Sequence, residues 1–184
     1  SWSWALLKDD SVNYDTTKQF IDYASTMQWS YCLIDVIWDT TIGDDKMKAL
    51  ADYAKTKDVK LIVWYNSSGD WNTTPYRPKS KLLTHEDRVR EFKRMNELGI
   101  SGVKIDFFGG DGQSMIAYYH DILKDAADYK LLVNFPVLPS YGFPSSIAKA
   151  IPKTSASQDV IQFKKGNTEE SATTTISPKK RILL

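Results

Sequence analysis

The chain has a single cysteine, Cys32, among 184 residues, so no internal disulfide can hold the fold and stability must come from a packed core. Charge of one sign is also missing. The net charge of +1 excludes a nucleic-acid partner gripped mainly through its phosphates. No apolar run approaches the roughly 18 residues of a membrane span, and no signal peptide is present, which argues against a membrane partner. No G-x-G-x-x-G or P-loop follows any apolar run, which weakens a nucleotide-binding reading. A G-x-S-x-G elbow is absent as well, which sets aside a serine hydrolase. Only two histidines occur, His85 and His120, and neither has the spacing of a zinc site.

What is present is ordinary for a globular domain: 42% hydrophobic and 26% charged residues. The charge is uneven, with a surplus of Lys and Arg after residue 136 and a small acidic surplus before it. Residues 31–37 (YCLIDVI) form a near-continuous apolar run, the pattern of a strand covered on both faces. Cys32 inside it reads as a small buried apolar residue. Further strands are expected over 2–6, 59–65, 101–108 and 130–135. Helical spacing is expected over 15–27, 45–57 and 113–129, and in a helix opening at Thr84 with a capping pattern and closing at Gly99. In that last helix Val89, Phe92, Met95 and Leu98 line the core face. Strands alternating with helices predict an α/β fold with a parallel sheet. About five such units suit a partial (β/α)8 barrel of the TIM type, or a doubly wound sheet. Residues 136–184 follow as an atypical Ser/Thr/Lys-rich segment without periodicity, so a domain of residues 1–135 and a tail are expected.

The chemistry gathers at the carboxyl ends of these strands, the catalytic face of such barrels. Val103-Lys104-Ile105-Asp106-Phe107 ends in a carboxylate and runs into a Gly-rich turn. Alternation puts Lys104 and Asp106 on one face, where burial is expensive unless they pair or react. Asp106 reads as the nucleophile of a sugar-cleaving barrel, or else as a cap for the next helix. Asp35 and Trp38 lie at the second strand end, Asn66, Asp70 and Trp71 after the third, and Asn134 at the fifth. Aromatic rings beside carboxylates suit sugars, whose C–H faces stack while their hydroxyls hydrogen-bond. These residues, with Lys104, form the candidate substrate-binding set; core or rim packing is the competing role for Trp38, Tyr65 and Trp71. No metal ligand set and no cofactor is identifiable, and calcium through Asp70 or Asp111 stays open.

Residues 1–4 (SWSW), 14–24 (YDTTKQFIDYA), 31–43 (YCLIDVIWDTTIG), 61–76 (LIVWYNSSGDWNTTPY), 102–113 (GVKIDFFGGDGQ) and 131–135 (LLVNF) resemble the catalytic barrel of glycoside hydrolase family 97. The resemblance implies a bacterial α-glucosidase or α-galactosidase, secreted or periplasmic, acting on a carbohydrate. It also implies that Asp106 is the nucleophile of the retaining branch, and that calcium is a possible cofactor whose ligands are not recognisable here. Retention needs a second carboxyl about 5–5.5 Å away to protonate the leaving oxygen. After Phe135 the chain departs from the family, which continues with His-Gly and later supplies the acid/base Glu. Glu169 and Glu170 have no such context. Two functions follow: a retaining α-galactosidase-like enzyme, or an impaired barrel fragment that binds sugar. Five units do not close a barrel, so its open edges predict a homo-oligomer or a covering tail.

Overall fold

A computed structural model describes residues 1–110 and 112–136. Asp111 and the tail, with Glu169 and Glu170, therefore lie outside the described residues. The element order is α1 (Ser3–Leu7), a 3-10 turn (Asp9–Ser11), α2 (Tyr14–Thr26), β1 (Tyr31–Ile34), α3 (Trp38–Thr41), α4 (Gly43–Thr56), β2 (Lys60–Asn66), α5 (His85–Leu98), β3 (Gly102–Asp106), α6 (Gln113–Asp128) and β4 (Leu132–Asn134). The four strands form one parallel sheet in chain order, β1-β2-β3-β4. This is the strand–helix repeat of a partial barrel, with four strands among the described residues where the sequence suggested about five units.

The missing strand is the first. Residues 2–6, read as extended, turn into α1 directly after Trp2, which keeps a single parallel bridge to Leu33 beside β1. β1 also stops short of Ile37. Ile37 takes a left-handed backbone (φ 59°) and its amide donates to the Arg77 carbonyl at 2.6 Å instead of extending the β1–β2 ladder. The apolar pattern of Val36 therefore reports burial and not strand.

Local signals elsewhere match their elements. Every residue of β2 beyond Lys60 is buried, as a parallel strand covered on both faces requires. Asn13 caps α2 by accepting from the Thr16 amide. Thr84 and Asp87 close both bonds of a capping box on α5, and Gly99 (φ 82°) ends it in the left-handed conformation that glycine adopts freely. On α5, Phe92, Met95 and Leu98 are buried as the spacing predicts, but Val89 is only half-buried. Arg88 and Glu91 are buried in its stead because each finds a partner: Arg88 pairs with Asp125 of α6 at 2.6 Å, and Glu91 accepts from the Tyr65 hydroxyl at 2.7 Å. A charged side chain tolerates burial only when paired in this way.

Candidate active site

The site is assembled by sheet register. Trp64 stands beside Lys104, and Asn66 beside Asp106, while Lys104 also pairs with Asn134 of β4. In a parallel sheet these rows project to a common face. Val103 and Ile105 project to the other face and are fully buried. Asp35 sits one step beyond the last β1–β2 pair.

Lys104 links the charged groups. Its ammonium lies 3.0 Å from Asp35 Oδ2 and 3.8 Å from Asp106 Oδ2. The three differ in access: side-chain exposure is 7% for Lys104, 2% for Asp35 and 30% for Asp106. Asp35 is saturated. Its Oδ2 also accepts from the Trp2 indole at 2.8 Å, and its Oδ1 accepts from the Val36 amide at 2.9 Å. Asp106 keeps more freedom. Its Oδ1 accepts from the Phe107 amide at 2.9 Å, and Oδ2 faces Lys104 beyond hydrogen-bond reach. The Asp106 charge extends to Tyr119, whose phenol is raised by burial and, less strongly, by that carboxylate.

The remaining candidates separate. Asn66 is fully buried, its Oδ1 accepting from the Ser68 amide at 2.9 Å and its amide donating to the Tyr76 carbonyl at 3.3 Å, so it braces the loop after β2. Trp38 is fully buried; its indole donates to the Trp64 carbonyl at 2.8 Å and its ring meets Tyr65 edge-on at 5.9 Å. That position belongs to the core. Asp70 and Trp71 stand on the exposed part of the loop, where Asp70 accepts from the Ser80 hydroxyl at 3.0 Å. Trp71 is 72% exposed, with its ring lying against Gly69, where any Cβ would collide with it. Asn134 is half-buried beside Lys104.

Two residues that the sequence did not mark belong to the site. Trp2 bonds Asp35 and places its ring face 4.3 Å from the Lys104 ammonium, a cation–π contact backed by Trp4 stacked at 5.6 Å. The S-W-S-W doublet was the available signal. Phe107, with φ 64°, is the second. Cys32 is buried, and burial pushes its thiol up, as suits an inert core residue. Among the described residues no three His, Cys, Asp or Glu side chains converge as a group that could hold a metal ion. Within them, too, no helix is long and apolar enough to cross a membrane.

Comparison with known proteins places the chain among glycosidases by sequence and fold. A probable retaining α-galactosidase of Streptomyces bingchenggensis is 29% identical over 165 residues, covering 83% of this chain and 23% of that protein. A retaining α-galactosidase of Bacteroides thetaiotaomicron is 28% identical over 131 residues, covering 67% of this chain and 18% of that one. The crystal structure of a β-arabinopyranosidase superposes with TM-score 0.72 at 47% identity, over 76% of this chain and 22% of its own. A structure from Bacteroides fragilis shares the fold at TM-score 0.57 and 16% identity, over 72% of this chain and 31% of its own. The chain thus spans less than a quarter of the curated relatives it matches. Residues 2–138 match the family described as Glycoside hydrolase 97, and with most of its length inside that match the chain belongs to this family.

Proposed function

We propose that this chain carries the nucleophile half of a retaining glycosidase site, with Asp106 as the nucleophile. The observation that supports it is the graded access of the three charged groups: Asp35 and Lys104 are sealed and mutually bonded, while Asp106 stays open to a substrate. In this reading an Asp106 oxygen attacks the anomeric carbon as the glycosidic C–O bond breaks. The electron pair of that bond leaves with the aglycone oxygen, which takes a proton from a general acid. Water then opens the glycosyl ester, transferring its proton to the same group in its basic form. Asp35 cannot be that acid, because its oxygens are occupied by Trp2, Val36 and Lys104. In this reading the acid/base is a carboxyl group other than Asp35.

Lys104 spends one N–H on Asp35, leaving others for a sugar hydroxyl beside Asp106. Asn134 in the same row and the exposed Asp70 and Trp71 are the further candidates for sugar contact. Asp35, Asn66 and Trp38 act from behind them. The relatives' names support a galacto-configured substrate. A β-L-arabinopyranoside has the ring stereochemistry of an α-D-galactoside without the C6 hydroxymethyl group, so one site geometry suits both.

Turnover of an activated aryl α-galactoside and an aryl β-L-arabinopyranoside tests the reading, since a good leaving group reduces the need for the acid. Turnover is expected to be lost in Asp106→Asn, which removes the attacking carboxylate oxygen. Saturable sugar binding without turnover in the parent chain would favour the impaired fragment instead.

A further inference from the structure

Among the described residues only one tryptophan stands mostly in solvent, Trp71, at 72% exposure. A single exposed ring is common, but this one is seated. Its six-membered ring lies against Gly69, where a Cβ would stand 2.1 Å from the ring carbon Cζ3. The Gly69 backbone is not left-handed, so the ring, and not the chain conformation, excludes a side chain there.

The seat is fixed to the strand that ends in Asp106. The Ser67 amide donates to the Asp106 carbonyl at 2.9 Å, and the Ser68 hydroxyl donates to the Phe107 carbonyl at 3.2 Å. On the far side the Ser80 amide donates to the Ser68 carbonyl and the Asn72 amide to the Gly69 carbonyl, each at 3.0 Å. Trp71 lies three residues beyond Ser68, a reach of at most about 11 Å. Asp70, also exposed, accepts from the Ser80 hydroxyl at 3.0 Å through Oδ1. A ring face beside a carboxylate suits a sugar, whose C–H face stacks while its hydroxyls donate. The direction of attack decides which sugar. A carboxylate nucleophile displaces its leaving group in line, so the aglycone departs on the side of the anomeric carbon away from Asp106. Asp35 and Lys104 are buried beside Asp106, whereas Trp71 stands at the solvent-exposed rim.

We propose that Trp71, seated on Gly69, is the stacking platform for the aglycone, a specificity-determining residue for glycosides whose leaving group is itself a pyranose. The choice of side rests on the reading of Asp106 as nucleophile. The seat does not, and the two are tested separately.

Calorimetric titration of the full chain with galactose, and with a sulfur-linked α-galactosyl-glucose that resists cleavage, separates the two sides of the scissile bond. The parent is expected to bind the disaccharide more tightly than galactose. Trp71→Ala is expected to weaken the disaccharide roughly tenfold, the size of one aromatic stacking contact, and to leave galactose unchanged. Trp71→Tyr keeps a stacking face and should retain most of the affinity. In Gly69→Ala the methyl group displaces the ring from its seat, which should reproduce the loss of Trp71→Ala. In the double variant no ring remains to be displaced, so no further loss is expected. The proposal is overturned if the parent binds neither sugar or binds both alike. It is overturned equally if Gly69→Ala keeps the parent's affinity, if the two losses add, or if galactose binding falls with them. Covalent labelling of Asp106 by a 2-fluoro glycosyl fluoride reports on the nucleophile separately. Labelling with additive losses would uphold that reading without the platform, and the full binding pattern without labelling would sink the reading while upholding the platform.

Discussion

Lys104 is the residue on which the site turns, because a buried ammonium is tolerable only while its partners remain. Asp35 at 3.0 Å and the Trp2 ring face at 4.3 Å supply the compensation, and Asp106 lies near enough to add to it. Removing one member of a buried pair leaves the other charge uncompensated, at a cost of about 3–5 kcal/mol, whereas replacing both with apolar groups is far better tolerated. Lys104→Met is therefore expected to destabilise the chain by that amount in denaturant melts. Lys104→Met combined with Asp35→Leu should regain much of it, and additive losses would contradict the pairing. The Lys104–Asp106 juxtaposition was legible from strand alternation alone. The bond from Trp2 to Asp35 spans 33 positions and was not, since no local periodicity reports a contact made by folding. Trp38 stayed open between two roles for a related reason: an aromatic at a strand end looks the same in sequence whether its indole meets a sugar or the Trp64 carbonyl.

At the scale of elements, the helices were legible because their caps are local. Thr84, Asp87 and Gly99 mark both ends of α5 within a few residues. The strand ends were less so. β1 closes at Ile34 because a distant loop captures the Ile37 amide, and α1 replaces an expected strand because Trp2 alone finds a strand partner. That same loop after β2 is tied to α6 through Tyr118, whose hydroxyl lies within hydrogen-bond distance of the Ser67 (2.9 Å) and Leu82 (3.1 Å) carbonyls. Burial, opposed by Arg88 and assisted by Asp87, pushes the Tyr118 phenol up to about 12. The folded form therefore holds this proton more tightly than the unfolded chain, whose tyrosines titrate near 10. The Tyr118 contribution to stability is present below about pH 10 and is lost as pH rises towards about 12. Denaturation midpoints across that window should fall more steeply in the parent than in Tyr118→Phe. Parallel curves would show that ionisation at Tyr118 carries no such penalty.

At the scale of the whole molecule, an α/β barrel fragment was legible from the alternation of apolar runs and amphipathic helices, while the number of strands was not. The sheet presents β4 at one side, and among the described residues its outer edge has no strand partner. An open parallel edge is a template for pairing with another chain. Sedimentation of this chain over a wide concentration range is accordingly expected to show reversible association. A monomer throughout would contradict this expectation. The central claim, that Asp106 attacks the sugar, is met most directly by intact mass after incubation with 2-fluoro glycosyl fluorides of α-galacto and β-L-arabinopyranosyl configuration. The account predicts an increase of one sugar, mapping to the peptide that contains Asp106 and absent in Asp106→Asn. A folded chain that gains no mass, or gains it at another residue, would contradict it.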